Sequence, residues 1–198
     1  MLTQSDTRER IIDSARELIL SRSYADVGVA AICEHAGVKK GSFYHFFPSK
    51  SELTQDVLDT FFTDFKESIV DQAFNNELPP LQKLVRLSEL AYEFQRTIKE
   101  QTGQVYGCPL GNLALELSTQ DEKIRQKINK IFKKLQTGLK EILLQATATG
   151  EIGDIDIDAT AQAMLAYFEG VVLMAKTRND PEVVRQLLPA IQFIRIIP

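Results

Sequence analysis

Residues 29–47 read VAAICEHAGVKKGSFYHFF, two short apolar-sided segments hinged on one glycine. Val29, Ile32 and Cys33 fall on one side of a first short helix. Gly37 suits the left-handed conformation that ends a helix. Val38 then turns inward, and Lys39-Lys40-Gly41 opens a second short helix running through Phe46. A helix, a glycine turn and a second helix make a helix-turn-helix, the unit that lays its second helix in the major groove of DNA. Lys39, Lys40, Ser42, Tyr44 and His45 cluster around the start of that second helix. The positive end of the helix dipole suits phosphate or base edges there. Lys50 follows Pro48-Ser49 at the start of the next helix, where its ammonium can reach a phosphate. Phe43, Phe46 and Phe47 read as core, and Cys33 as a small buried hydrophobe.

Outward from this motif the helical period is nearly everywhere. Ile11, Ile12, Ala15, Leu18 and Ile19 make one face of a helix before it. After it come the stripes Leu53, Val57, Phe61, Phe65 and Ile69; Leu84, Leu87, Ala91, Phe94 and Ile98; and Ile124, Ile128, Ile131, Leu135, Leu139 and Ile142. Breaks are expected at Gly37, Asn75-Asn76, Pro79-Pro80, residues 107–109, residues 150–153 and residues 179–181. No segment alternates apolar and polar residues over strand length with hairpin signals. The expected class is all-α with about nine helices. Helices shorten before residue 50 and lengthen after it, which divides the chain into a part holding the helix-turn-helix, 1–50, and a longer-helical part, 51–198.

The chain has 198 residues and a net charge of −4. Residues 1–50 hold seven Lys/Arg and six Asp/Glu, a net of +1; the rest holds sixteen and twenty-one, a net of −5. DNA affinity must therefore come from local placement of Lys39, Lys40 and Lys50 rather than a broad basic field. No apolar run approaches the roughly 18 residues of a spanning helix, and MLTQSDTRER has no apolar signal core. The expectation is a cytoplasmic protein with no membrane partner. Cys33 and Cys108 are the two cysteines, expected to stay thiols. There is no Walker loop, dinucleotide fingerprint or metal-spaced His/Cys cluster, so no catalytic role, metal or cofactor is expected.

The stretch from about Thr7 to Leu53, above all AGVKKGSFYHFFPSKSEL, closely resembles the TetR family of repressors. The resemblance implies phosphate contacts from Ser42, Tyr44 and Lys50, and base or backbone contacts from Lys39, Lys40 and His45. It implies a homodimer on double-stranded operator DNA, with a small-molecule effector bound in the C-terminal part. One departure is Val27-Gly28, where the family usually has a Ser or Thr cap; glycine caps more weakly. Ala159, Ala163, Ala166 and Gly170 form a small-residue stripe that allows close approach of helices, beside Met164, Phe168, Val171 and Ala175. The last segment adds Val184, Leu187, Leu188, Ile191 and Ile194, with a kink expected at Pro189.

The segment YGCPLGNLALE, residues 106–116, is less ordinary. Pro109 suits the first position of a helix, making Cys108 its cap. The helix dipole there is expected to depress the thiol's pKa, with donors from Leu110 and Gly111. The Gly-Cys pair, the Leu-x-x-Glu spacing after it and Lys176 more loosely resemble a TetR subgroup, that of the electrophile-responsive N-ethylmaleimide reductase repressor. This implies a sensor at Cys108 with Lys176 near it, and an effector that is an electrophile or oxidant. Two alternatives stand beside it: a non-covalent lipophilic ligand in the same architecture, and a thiol enzyme using Cys108, which lacks a visible general base.

Overall fold

The computed structural model describes residues 4–74 and 77–197, and within them every regular element is helical. Nine helices can be followed among the described residues. They are α1 (Gln4–Ser21), α2 (Val29–Ala36), α3 (Lys40–Phe46), α4 (Lys50–Phe65), α5 (Pro80–Thr102), α6 (Pro109–Leu117), α7 (Glu122–Ala148), α8 (Ile157–Arg178) and α9 (Glu182–Leu187). Helix α4 runs on through a π-helical turn, Lys66–Val70, and a last α-helical turn, Asp71–Ala73. Helix α9 tightens into a 3-10 turn over Leu188–Phe193, where Pro189 removes a backbone donor.

The breaks fall where proline and glycine chemistry puts them. Gly37 takes φ 63° and its N–H closes back on the carbonyl of Glu34, while the N–H of Val38 reaches Cys33. Helices α5 and α6 start at Pro80 and Pro109, the first-turn position where proline costs no hydrogen bond. Asn179 ends α8 at φ 48°, a left-handed position that asparagine tolerates better than most residues. The break expected at Asn75-Asn76 lies outside the described residues.

The chain forms two compact units. The first comprises residues 1–63 together with 112–128; the second comprises 64–111 together with 129–198. In the first, Ile11, Ala15, Ile32, Phe43, Leu53, Val57 and Leu58 are buried, and Phe43 stacks edge-on to Tyr44 with centroids 5.2 Å apart. Burying a phenylalanine this fully contributes about 1.5–3 kcal/mol, so Phe43 is the pin of the short helix α3. In the second, Leu84, Leu87, Leu139, Leu143, Met164, Phe168, Val172, Val184 and Ile191 share one core. The stripes read from the sequence on α5, α7 and α8 supply it.

Candidate functional site

Two places carry the residues singled out in the sequence, and each lies within one unit. The first is the turn between α2 and α3. Gly28 caps α2 without a side-chain hydrogen bond, as glycine must. Arg10 from α1 reaches the other end of α2, donating to the carbonyl of Ala36, and its guanidinium lies 2.9 Å from where a Cβ on Gly37 would stand. The turn is thus held from behind by a long side chain. Lys39 caps α3 with no side-chain acceptor. Phe43 and Phe47 point into the core, whereas Lys39, Lys40, Tyr44 and His45 are exposed and Ser42 is half-buried. Tyr44 is 54% exposed, which sets it apart from its buried neighbour and leaves its hydroxyl turned to solvent. Phe46, expected in the core, is only partly buried and lies against the His45 ring. Cys33 is buried as expected, and that burial pushes its thiol up.

Lys50 has more structural work than the sequence suggested. Its ammonium donates to the carbonyls of Tyr24 (2.8 Å) and Val27 (3.0 Å) and sits 3.7 Å from the centre of the Tyr24 ring. Desolvation lowers its pKa, opposed by the carboxylate of Glu116. Glu116, the acid of the Leu-x-x-Glu spacing, accepts the N–H groups of Tyr24 (3.0 Å) and Ala25 (2.7 Å). One cation and one anion thereby fasten the loop that leads into α2, from both its carbonyl and its amide sides.

The second place is the start of α6. The loop before it is clamped by side chains from elsewhere. The buried amide of Gln95 donates to the carbonyl of Gly107 (3.0 Å) and accepts its N–H (3.2 Å). Asn179 accepts the N–H of Val105 (2.8 Å) and donates to the carbonyl of Gly103 (3.1 Å). Gly107 takes φ 70°, and Lys176 lays its aliphatic stem over it, Cβ and Cδ both 3.3 Å from where a Cβ on Gly107 would stand. Lys176 itself is exposed.

Cys108 does sit at the helix start, and Gly111 donates to its Sγ at 3.4 Å. The expected depression of its pKa is nevertheless wrong. Burial and the neighbouring carboxylate of Glu169 push the thiol well above its ordinary value, outweighing the amides of Gly111 and Leu110. The helix dipole alone would depress the thiol; the acid beside it, with burial, reverses the direction. Glu169 lies on α8, and burial raises its pKa to about 7, against the lowering effect of the neighbouring Cys108 thiol. A Cβ on Gly111 would collide with Oε2 of Glu169, so the carboxylate occupies the room that residue 111 leaves empty. The available signal was an acidic residue one position after the core stripe residue Phe168, among Leu165 and Val172. No group of three or more potential metal ligands occurs among the described residues.

The outward face of α8 is apolar but not covered. Ala159, Ala163, Ala166 and Gly170 remain partly or fully exposed, and Leu173 and Met174 continue them in solvent. Leu187, Phe193, Ile196 and Ile197 are exposed at the chain's end. No helix among the described residues is long and apolar enough to cross a membrane.

Comparison with known proteins adds two family matches. Residues 11–57 match the pattern of bacterial regulatory proteins of the tetR family, and residues 80–191 that of the tetracyclin repressor-like C-terminal domain. The transcriptional regulator AcuR of Cereibacter sphaeroides is 31% identical over 176 residues, spanning 88% of this chain and 78% of AcuR. The transcriptional repressor NemR of Escherichia coli is 26% identical over 203 residues, spanning 99% of this chain and 97% of NemR. A crystal structure of a regulatory protein TetR from Rhodobacter sphaeroides superposes with a TM-score of 0.83 at 28% identity, covering 95% of this chain and 98% of that one.

Proposed function

The chain belongs to the TetR family of transcriptional repressors, and from that premise we propose that it binds a palindromic operator as a homodimer and lets go when a small electrophile reacts at Cys108. What carries the DNA half of this reading is the exposed edge of α3. Its aromatic core residues are turned inward, while Lys39, Lys40, Tyr44 and His45 are left to solvent. Ser42 and Tyr44 take phosphates, which position the protein without reading sequence; Lys50, whose ammonium already holds the carbonyls of Tyr24 and Val27, has one remaining N–H for a phosphate; Lys39, Lys40 and His45 reach bases or backbone. Residues 1–50 are the DNA-binding part and 51–198 the effector and dimerisation part. The apolar outward face of α8 supports self-association, because a face of that kind is rarely left in water. Two recognition helices then meet successive major grooves roughly 34–36 Å apart.

The effector half rests on the clamped loop and the partly buried thiol at its end. The loop backbone held by Gln95 and Asn179 presents Cys108 in a fixed place. The second reading, a non-covalent lipophilic ligand, is favoured by the raised thiol pKa, which keeps Cys108 protonated at neutral pH. Enzymatic turnover is not part of either reading.

The experiment starts from protein bound to an operator duplex selected from a random pool. Sedimentation should find two protomers, or four, per duplex; a monomer on DNA overturns the dimer. The complex is then titrated with N-ethylmaleimide, comparing wild type with Cys108→Ser. Release of wild type alone supports covalent sensing. Equal release of both moves the effector to the non-covalent reading.

A further inference from the structure

Resting on the reading of α3 as the DNA-binding edge, we propose that Glu116 is a positioning residue for operator binding: from outside the helix-turn-helix it fixes the entry of α2 and, through α2, the turn and α3. Helix α2 lacks the usual fastening at its start. Gly28 caps it in an ordinary extended conformation, φ −83° and ψ 159°, and offers no side-chain acceptor. The far end of α2 is held by Arg10 on the carbonyl of Ala36. The near end depends on what grips the loop before it, residues 22–28. Two amides of that loop find partners within it: Val27 donates to the carbonyl of Tyr24 (3.3 Å) and Asp26 to the hydroxyl of Ser23 (3.2 Å). The amides of Tyr24 and Ala25 go instead to the two oxygens of Glu116, one to each. Without the carboxylate these two N–H groups turn to water, which satisfies them and fixes nothing.

Tyr24 is gripped on both sides, its N–H by Glu116 and its carbonyl by Lys50. Residues 112–128 lie in the same compact unit as residues 1–63. They are tied to α4 by Asp121 with Ser51, by Lys123 with Glu52 at 2.7 Å and by Lys127 with Asp59 at 2.6 Å. These pairs hold the end of α6 and the start of α7 in place independently of the side chain at 116, so a substitution there frees the loop and leaves α6 attached. The sign of the effect is what separates geometry from charge. A carboxylate on a DNA-binding unit repels phosphate, so its charge alone weakens binding to every duplex. As a positioning group it strengthens binding, and only where α3 must meet particular bases.

The test compares wild type, Glu116→Ala and Glu116→Gln as full-length proteins by fluorescence anisotropy. One duplex is the operator selected with wild type from a random pool; the other is a scrambled version of it. Hydrogen exchange of residues 22–28 is followed by mass spectrometry. Glu116→Ala is expected to bind the operator roughly tenfold more weakly, the scale of one lost hydrogen bond to a charged group. Its binding to the scrambled duplex, which rests on phosphates alone, should change little. The preference for operator then falls, and residues 22–28 exchange faster. Glu116→Gln keeps one acceptor but turns an N–H donor toward the second amide, so it should fall between wild type and Glu116→Ala. If both variants bind both duplexes more tightly, Glu116 acts by its charge and the proposal is overturned. A lower thermal midpoint with an unchanged operator preference overturns it too, because the carboxylate then only stabilises the fold. Weaker operator binding without faster exchange in residues 22–28 overturns the route through the loop. Where Glu116→Ala does not fold, Glu116→Gln decides by the same criteria. Failure of wild type to select any duplex overturns the DNA-binding reading itself, and this proposal with it.

Discussion

Helices α3 and α6 begin in similar ways and end up as opposites. Each follows a short loop, each starts with a residue that offers no conventional side-chain cap, and each was marked in the sequence for the positive end of its dipole. At α3 that end stays open: Lys39 makes no side-chain cap, and Lys40 and Tyr44 stand in solvent. At α6 it is filled, by the Cys108 sulfur and, beside it, the Glu169 carboxylate. An open helix start can wait for an anion from outside. A filled one has already spent its field on internal groups. The same backbone physics gives an exposed basic edge in one place and a thiol beside a carboxylate in the other.

The sharpest way to break this contrast is to disarm the open end. Lys39→Ala together with Lys40→Ala should weaken operator binding by about 2–6 kcal/mol, taking roughly 1–3 kcal/mol per specific contact. Fluorescence anisotropy on the selected duplex measures it, with the dimer and the thermal midpoint unchanged. A loss below tenfold would mean that α3 is not the reading edge.

The filled end answers to pH instead. Glu169 is raised from 4.5 to about 7, so between those values the folded protein holds a proton that the unfolded chain has released. Stability should therefore fall as pH rises from about 4.5 to 7, by at most about 3.4 kcal/mol at 1.36 kcal/mol per unit. Urea unfolding at pH 5 and pH 8 tests it. Glu122, held down to about 2 by Arg125, changes its contribution only below about pH 4.5, and wild type minus Glu169→Gln isolates the Glu169 effect from every other group. That difference should shift with pH in the stated direction; a flat difference would mean the carboxylate is solvated in solution.

The smallest expected effect separates anchoring from reading at the open end. Tyr44→Phe removes one hydroxyl and should cost about 1 kcal/mol on every duplex alike, since phosphate contacts carry no sequence information. Competition between operator and scrambled duplex checks this. A changed ratio between them would place Tyr44 on a base.

How much of this could be read beforehand differs between the two ends for a physical reason. The open end depends on neighbours in sequence: the turn glycine, the inward phenylalanines and the lysines all lie within residues 37–47, so local periodicity suffices. The filled end is assembled from residues far apart in the chain. Gln95, Cys108, Glu169 and Asn179 meet only after folding, and nothing in the spacing of residues 106–116 shows that an acid 61 positions later is pressed against the thiol. Hence the cap position of Cys108 was legible and the direction of its pKa was not. Lys50 falls between the two cases. Its place at the start of α4 was foreseeable, but the carbonyls of Tyr24 and Val27 that occupy its ammonium were not.

The clamp on residues 103–107 carries a practical consequence. Its fasteners, Gln95 and Asn179, stand outside the loop they hold, and they grip backbone atoms, not side chains. The loop's path is therefore indifferent to the chemistry of the residue at its end. Position 108 can take a substituent of similar size, such as serine, and still deliver it to the start of α6 in the same place. On the proposed reading, in which Cys108 takes the effector, position 108 is where the input of a transcriptional switch would be exchanged.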